Sequence, residues 1–244
     1  GIRETSQEKR YISSEAYLHY LHGQMFFLNG EYEKAEKEIK LAIIYDFESP
    51  YLHILLSEIL WRTGKVEAAQ KEAISILEIY PRNSEARMIL AKLAIIQQDI
   101  IGAIEHYLTV IDNDPTVVDA YLILGDIFLK LDEPEKSTTV FDRFSAYHPD
   151  RVDGYILLGK YYINQSLLEL AQQNFEKALE RNPYHIEVLT ALAHIYEFND
   201  SYENAIKMHE LLLLVNEENE IGTLTALARL YLKSRDSENA KKTI

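Results

Sequence analysis

Cysteine is absent from the 244-residue chain, which excludes structural disulfides and thiolate metal sites. It does not separate one compartment from another, and the bacterial cytoplasm and periplasm both fit. Basic charge is scarce: 25 Lys and Arg stand against 39 Asp and Glu, a net charge of −14. A surface of that sign disfavours non-specific binding to nucleic acid or anionic lipid. No basic stripe of the kind that tracks RNA is visible. Long apolar runs are missing too. Leu211–Val215 is among the longest, far below the roughly 18 residues of a membrane span, so no membrane span is expected. Catalytic signatures are also lacking: there is no nucleophile motif, no phosphate-cradling glycine loop and no metalloprotease helix. The carboxylates Glu217, Glu218 and Glu220 lack the oxygen spacing and glycine turn of a calcium loop. The expectation is a non-enzyme with no cofactor and no metal.

The chain opens Gly1-Ile2-Arg3 and stops at Ile244 inside an expected helix. The natural protein is therefore expected to be longer. Residues 1–15 are polar at the start and read as a loose arm, with Ser13 or Ser14 able to cap the first helix through its hydroxyl.

What is present is a repeat. Shifting the chain by 34 residues aligns Gly23, Ser57, Ala91, Gly125, Gly159 and Ala193, with Ala228 one residue late. A second column holds Ala35, Ala69, Ala103, Ser137, Ala171 and Ala205, with Ala240 one late. Every member of both columns is small. Three residues after the first column come Phe26, Leu60, Ala94, Phe128, Tyr162, Tyr196 and Tyr231. Pro81, Pro115, Pro149 and Pro183 fall in step, with Phe47 and Glu217 at the ends of that column. Within each period, apolar residues recur at three- and four-residue spacing in two runs. Turn-rich breaks separate the runs: Asn29-Gly30, Thr63-Gly64, Gln98-Asp99, Asp132-Glu133-Pro134, Gln165-Ser166 and Asp200-Ser201. The expected unit is a helix pair. Its helices approach where side chains are small, a glycine or alanine of the first meeting an alanine of the second.

This pattern resembles the tetratricopeptide repeat family, whose unit of about 34 residues is a helix–turn–helix. The resemblance covers residues 16–244, with repeats starting near 16, 50, 84, 118, 152, 186 and 221, the last incomplete. Departures are local: His19, His53 and Arg87 stand where the family places a bulky aromatic. One residue is inserted near 216–220, where irregular stacking is expected. The resemblance implies an all-α, right-handed superhelical solenoid of antiparallel helix pairs, with a concave groove lined by the first helices.

Helical spacing sorts each first helix into a packing stripe and a groove stripe. The groove stripe reads Tyr17, Tyr20, Gln24 and Phe27, then Tyr51, Ile54, Glu58 and Trp61, then Glu85, Met88, Lys92 and Ile95. It continues through Asp119, Leu122, Asp126 and Leu129, then Asp153, Ile156, Lys160 and Ile163, and ends at Glu187, Thr190, His194 and Glu197. Its N-terminal half is aromatic, and Tyr17, Tyr20, Phe27, Tyr51, Trp61 and Met88 would form a partner-binding patch; burial of the same residues between repeats is the alternative. Glu58, Lys92, Asp126 and Lys160 alternate in sign one repeat apart, which suggests a ladder of ion pairs or a polar guide for a ligand. The lysine, asparagine and arginine clamp of repeats that hold acidic chaperone tails is missing: Tyr20, Gln24, Leu55, Glu85 and Ile89 occupy those faces. His19 and His22, three apart, are a candidate metal pair without an obvious third ligand; filling an aromatic slot suits His19 and His53 better.

The function these readings favour is a non-catalytic scaffold that binds a protein or peptide in its groove. The alternatives are the repeat arm of a larger enzyme, such as a glycosyltransferase, or a spacer in a bacterial envelope assembly. Self-association through an uncapped C-terminal repeat is a further expectation.

Overall fold

The computed structural model describes residues 13–243. The N-terminal arm expected over 1–15 lies outside the described residues as far as 12. Ser13 is the cap of the first helix, its hydroxyl accepting a hydrogen bond from the Ala16 amide at 3.0 Å. The described residues are helical, with no strand among them. Contacts divide the chain into two compact units, Gly1–Asp114 and Pro115–Ile244.

The first unit holds three helix pairs: α1 (Ser14–Leu28) with α2 (Tyr32–Tyr45), α3 (Pro50–Arg62) with α4 (Val66–Ile79), and α5 (Ser84–Ile96) with α6 (Ile100–Asn113). α2 also packs on α3, and α4 on α5. The second unit repeats the scheme with α7 (Val118–Lys130) and α8 (Pro134–Tyr147), α9 (Asp153–Asn164) and α10 (Leu168–Arg181), and α11 (Ile186–Phe198) and α12 (Tyr202–Val215). α13 (Glu220–Lys233) and α14 (Ser237–Thr243) close it. A short 3-10 turn, Glu217–Asn219, precedes α13 and takes up the one inserted residue.

One backbone device makes every pair. The residue between the two helices has positive φ: Gly30, Gly64, Gln98, Asp132, Ser166, Asp200 and Arg235, with φ between 54° and 77°. The next amide then reaches back to the carbonyl five residues earlier, Glu31 to Phe26 at 2.9 Å, Lys65 to Leu60 at 2.8 Å, Leu167 to Tyr162 at 2.8 Å and Asp236 to Tyr231 at 2.8 Å. This is the Schellman closure, which satisfies a carbonyl that the helix end would leave unpaired. The same residue that donates this bond starts the second helix, so the reversal takes only three residues.

Both small columns are buried. Their contact differs from a simple meeting of small side chains. Ser57 does reach the second column, donating to the Ala69 carbonyl at 2.7 Å. At the glycines, however, the space is filled by a large side chain one turn beyond the second-column residue: Ile39 over Gly23, Phe141 over Gly125 and Phe175 over Gly159. Phe141 is also held against Gly154 of the next pair. The glycine therefore makes room for a ring, and Phe141 and Phe175 are almost wholly buried as a result.

Polar contacts add to this packing. Glu36 of α2 is buried and accepts from Lys40 at 2.6 Å and from Lys65, at the start of α4, at 2.7 Å. Burial alone would raise its pKa, but the two lysines outweigh that and hold the carboxyl below its usual range.

Two measurements test these devices. At Gly64 nothing crowds an added Cβ, so only the backbone decides. Gly64→Ala should destabilise the protein by about 1 kcal/mol, and Ser166→Gly should stabilise it by a similar amount, read by denaturant melts. In Gly159→Ala the new Cβ would lie 2.6–2.8 Å from Phe175 ring atoms. The helix-propensity gain of about 1 kcal/mol should then be reversed into a net loss of about 1–2 kcal/mol; a net gain would show that the ring yields freely.

Candidate functional site

The aromatic residues of the first unit converge between α1 and α3. Tyr17 and Tyr20 share one face of α1 because they are three apart. Tyr51 opens α3, whose first position is Pro50, a residue suited to the first helical turn. The rings of Tyr20 and Tyr51 meet edge to face with centroids 5.5 Å apart, and their hydroxyls share a hydrogen bond of 3.1 Å. Tyr17 lies 6.3 Å from Tyr20, centroid to centroid. The hydrogen bond with Tyr51, followed by partial burial, raises the Tyr20 pKa to about 12. The two hydroxyls thus share one bond while the outer rings stay open: Tyr17 is 54% exposed and Tyr51 49%.

These rings line a pocket of about 280 Å3, completed by Ala16, Asp46, Ser49 and Leu52. The wall formed by Asp46 and Ser49 belongs to the short loop from α2 to α3. His53 fixes that loop. Its Nε2 lies 2.9 Å from the Phe47 carbonyl, and its Nδ1 lies 2.8 Å from Glu72 of α4. Both partners are acceptors, so the doubly protonated ring satisfies both at once. The Glu72 hydrogen bond is the largest cause of a raised His53 pKa.

The other expected groove residues are placed unequally. Phe27 and Trp61 are half-buried against the core cluster of Leu55, Leu56, Ile59 and Leu60, with the Arg62 guanidinium over both rings at 5.8 and 5.1 Å. Ile54 and Glu58 are also half-buried. Met88 is a correction: it is only 8% exposed and belongs to the core of α5, so it offers no anchor. Leu129 and Ile156, assigned to the same stripe, are buried as well. Gln24 is half-buried, and its side-chain oxygen has no hydrogen-bond partner among the described residues.

The alternating charges do not pair as a ladder. Glu58 pairs with Arg62 one turn on at 3.3 Å, and Asp126 with Lys130 at 2.6 Å. Lys160 pairs with Glu187 of the following first helix at 2.5 Å, and Lys92 is exposed. His19 and His22 both face Glu38, at 2.8 and 3.8 Å. Among the described residues no group of three or more His, Asp and Glu is arranged to hold a metal ion. No described helix is long and apolar enough to cross a membrane.

Asp46, Ser49, Ala16 and Leu52 were not legible as site residues. Asp46 and Ser49 come from the loop, and Ala16 and Leu52 lie off the groove stripe; the one signal was their position beside Tyr17 and Tyr51 in adjacent periods.

A helix-hairpin repeat with these turns and columns defines a class, the all-α solenoids. Family models for the tetratricopeptide repeat match residues 54–118 and 152–185. The solved C-terminal part of a TPR repeat-containing protein from Cytophaga hutchinsonii has a TM-score of 0.64 at 18% identity, covering 92% of each chain. The chain thus carries tetratricopeptide repeats over these residues, in an all-α tetratricopeptide-like solenoid. Anaphase-promoting complex subunit 3 of Schizosaccharomyces pombe is 25% identical over 164 residues, 67% of this chain and 24% of that one. Lipopolysaccharide assembly protein B of Escherichia coli K12 is 24% identical over 128 residues, 51% of this chain and 32% of that one. The chain thus spans about a quarter to a third of the length of these relatives.

The His53 contacts give a pH dependence. A histidine whose folded pKa is raised contributes stability that is complete below its unfolded value of about 6.5 and is lost as pH rises through the folded value. Melting temperature should therefore fall from about pH 6 upward, and His53→Gln should flatten that part of the profile. An unchanged profile in the variant would assign the dependence to other groups.

Proposed function

We propose that this chain is a non-catalytic scaffold that holds a protein or peptide on the first-helix face of its N-terminal unit. The observation that carries this reading is the open pocket between Tyr17, Tyr20 and Tyr51, with two of its three rings about half exposed. Rings in water gain little unless something covers them, and tyrosine is among the residues that most often dominate interfaces. Phe27, Trp61, Gln24, Ile54 and Glu58 extend the face along α1 and α3. In this reading Trp61 shapes the surface and also belongs to the packing beneath it. Lys92, Asp126 and Lys160 supply polar contacts within their own units at most.

The comparisons support the coarser part of this reading. One relative is a subunit of the anaphase-promoting complex and another an assembly protein for lipopolysaccharide. Both names describe work done alongside other components, which suits a protein-binding role here.

A displayed library of random peptides, selected on the folded chain, tests the proposal. Selected peptides should bind Tyr17→Ala and Tyr51→Ala at least about tenfold more weakly, the loss of one ring at an interface costing about 1.4–2 kcal/mol. Tyr17→Ala should leave the melting temperature unchanged, because that ring is largely in water. Trp61→Ala should lower both affinity and melting temperature. Selected peptides indifferent to both tyrosines would move the binding surface elsewhere.

A further inference from the structure

Building on that peptide-binding reading, we propose that the pocket between Tyr17, Tyr20 and Tyr51 receives a lysine or arginine side chain of the bound partner. Three phenol rings together with Ala16 and Leu52 give walls for an aliphatic stem. Aromatic faces carry negative charge density and attract a cation at the end of such a stem. Asp46 lines the same pocket. It is already engaged within the chain, but a carboxylate has two oxygens and accepts several N–H donors, so an incoming ammonium or guanidinium adds to its contacts. The chain's net charge of −14 works in the same direction at longer range.

One feature of the pocket pulls the other way. Ser49, Tyr51 and Leu52 belong to the start of α3, and a helix N-terminus favours an anion. That terminus is equivalent to about half a positive charge, whereas Asp46 carries a full negative one. The balance therefore favours a cation over an acid. A neutral side chain of equal length would find the apolar walls alone.

The test uses the folded chain with ring-labelled tyrosine, titrated in NMR with the N-acetyl methylamides of arginine, lysine, norleucine and glutamate. The arginine and lysine probes should shift the Tyr17, Tyr20 and Tyr51 ring signals saturably. Norleucine should bind roughly fivefold to tenfold more weakly, and glutamate should not bind. Asp46→Asn should weaken the cationic probes by a similar factor without affecting norleucine. Tyr17→Leu, at an exposed position, serves as the second variant if Asp46→Asn proves less stable, and should weaken all cationic binding. Equal binding of norleucine and lysine would overturn the inference while leaving the peptide-binding face intact. Preference for glutamate, or no shift with any probe, would also overturn it. Failure of the peptide selection would instead count against the face as a whole.

Discussion

Every helix pair depends on one backbone residue that must take positive φ. With it, the amide that follows can close back onto the preceding helix and open the next one, so two helices are joined with the corner amides all bonded. The seven reversals lie 34 residues apart, with one step of 35 before the last. Glycine fills only two of them. Gln98, Asp132, Ser166, Asp200 and Arg235 accept the same conformation at some cost. Packing of the paired helices must supply what these residues lose, which is why the buried columns are so regular while the turn residues vary.

Within a pair, the small column sets how deep the partner's side chain can go. Where it is glycine, Ile39, Phe141 or Phe175 descends onto the first helix. Phe141 reaches Gly154 of the next pair as well, so one ring joins packing within a hairpin to packing between hairpins. Glu36 does the same by charge, bridging Lys40 of its own helix and Lys65 of the next pair. Such shared groups explain how a unit that cannot bury its own apolar face becomes stable when stacked.

The repeat period, the helix pairs and the turn positions were legible because they are one-dimensional facts. All the positive-φ residues except Arg235 fall inside breaks named from composition alone. The depth of a side chain is not one-dimensional. Met88 sits on the same stripe as Tyr20 and Ile54 by spacing, yet α5 is covered from both sides and takes Met88 into the core. The glycine–ring contacts escaped for a similar reason: two small columns in register suggest that they meet, and only the offset of the crossing shows a ring between them. Loop residues such as Asp46 and Ser49 carry no periodic mark, so their part in the pocket emerges only when α1 and α3 are side by side.

The two units treat their first-helix surfaces differently, and the difference bears on the proposed binding face. Besides Glu58 with Arg62 in the first unit, internal bonds engage first-helix residues of the second: Lys160 with Glu187, Asp126 with Lys130, Arg151 with Asp153, and Tyr161 with Asp132 at 2.5 Å. A ligand there would have to compete with them. In the first unit the Tyr20 and Tyr51 hydroxyls share one hydrogen bond, which lowers the polar cost of covering them. Their rings stay braced edge to face, so little side-chain freedom remains to be lost on binding. An exposed aromatic surface whose rings are already braced is inexpensive to bury, which favours the proposed binding face on α1 and α3.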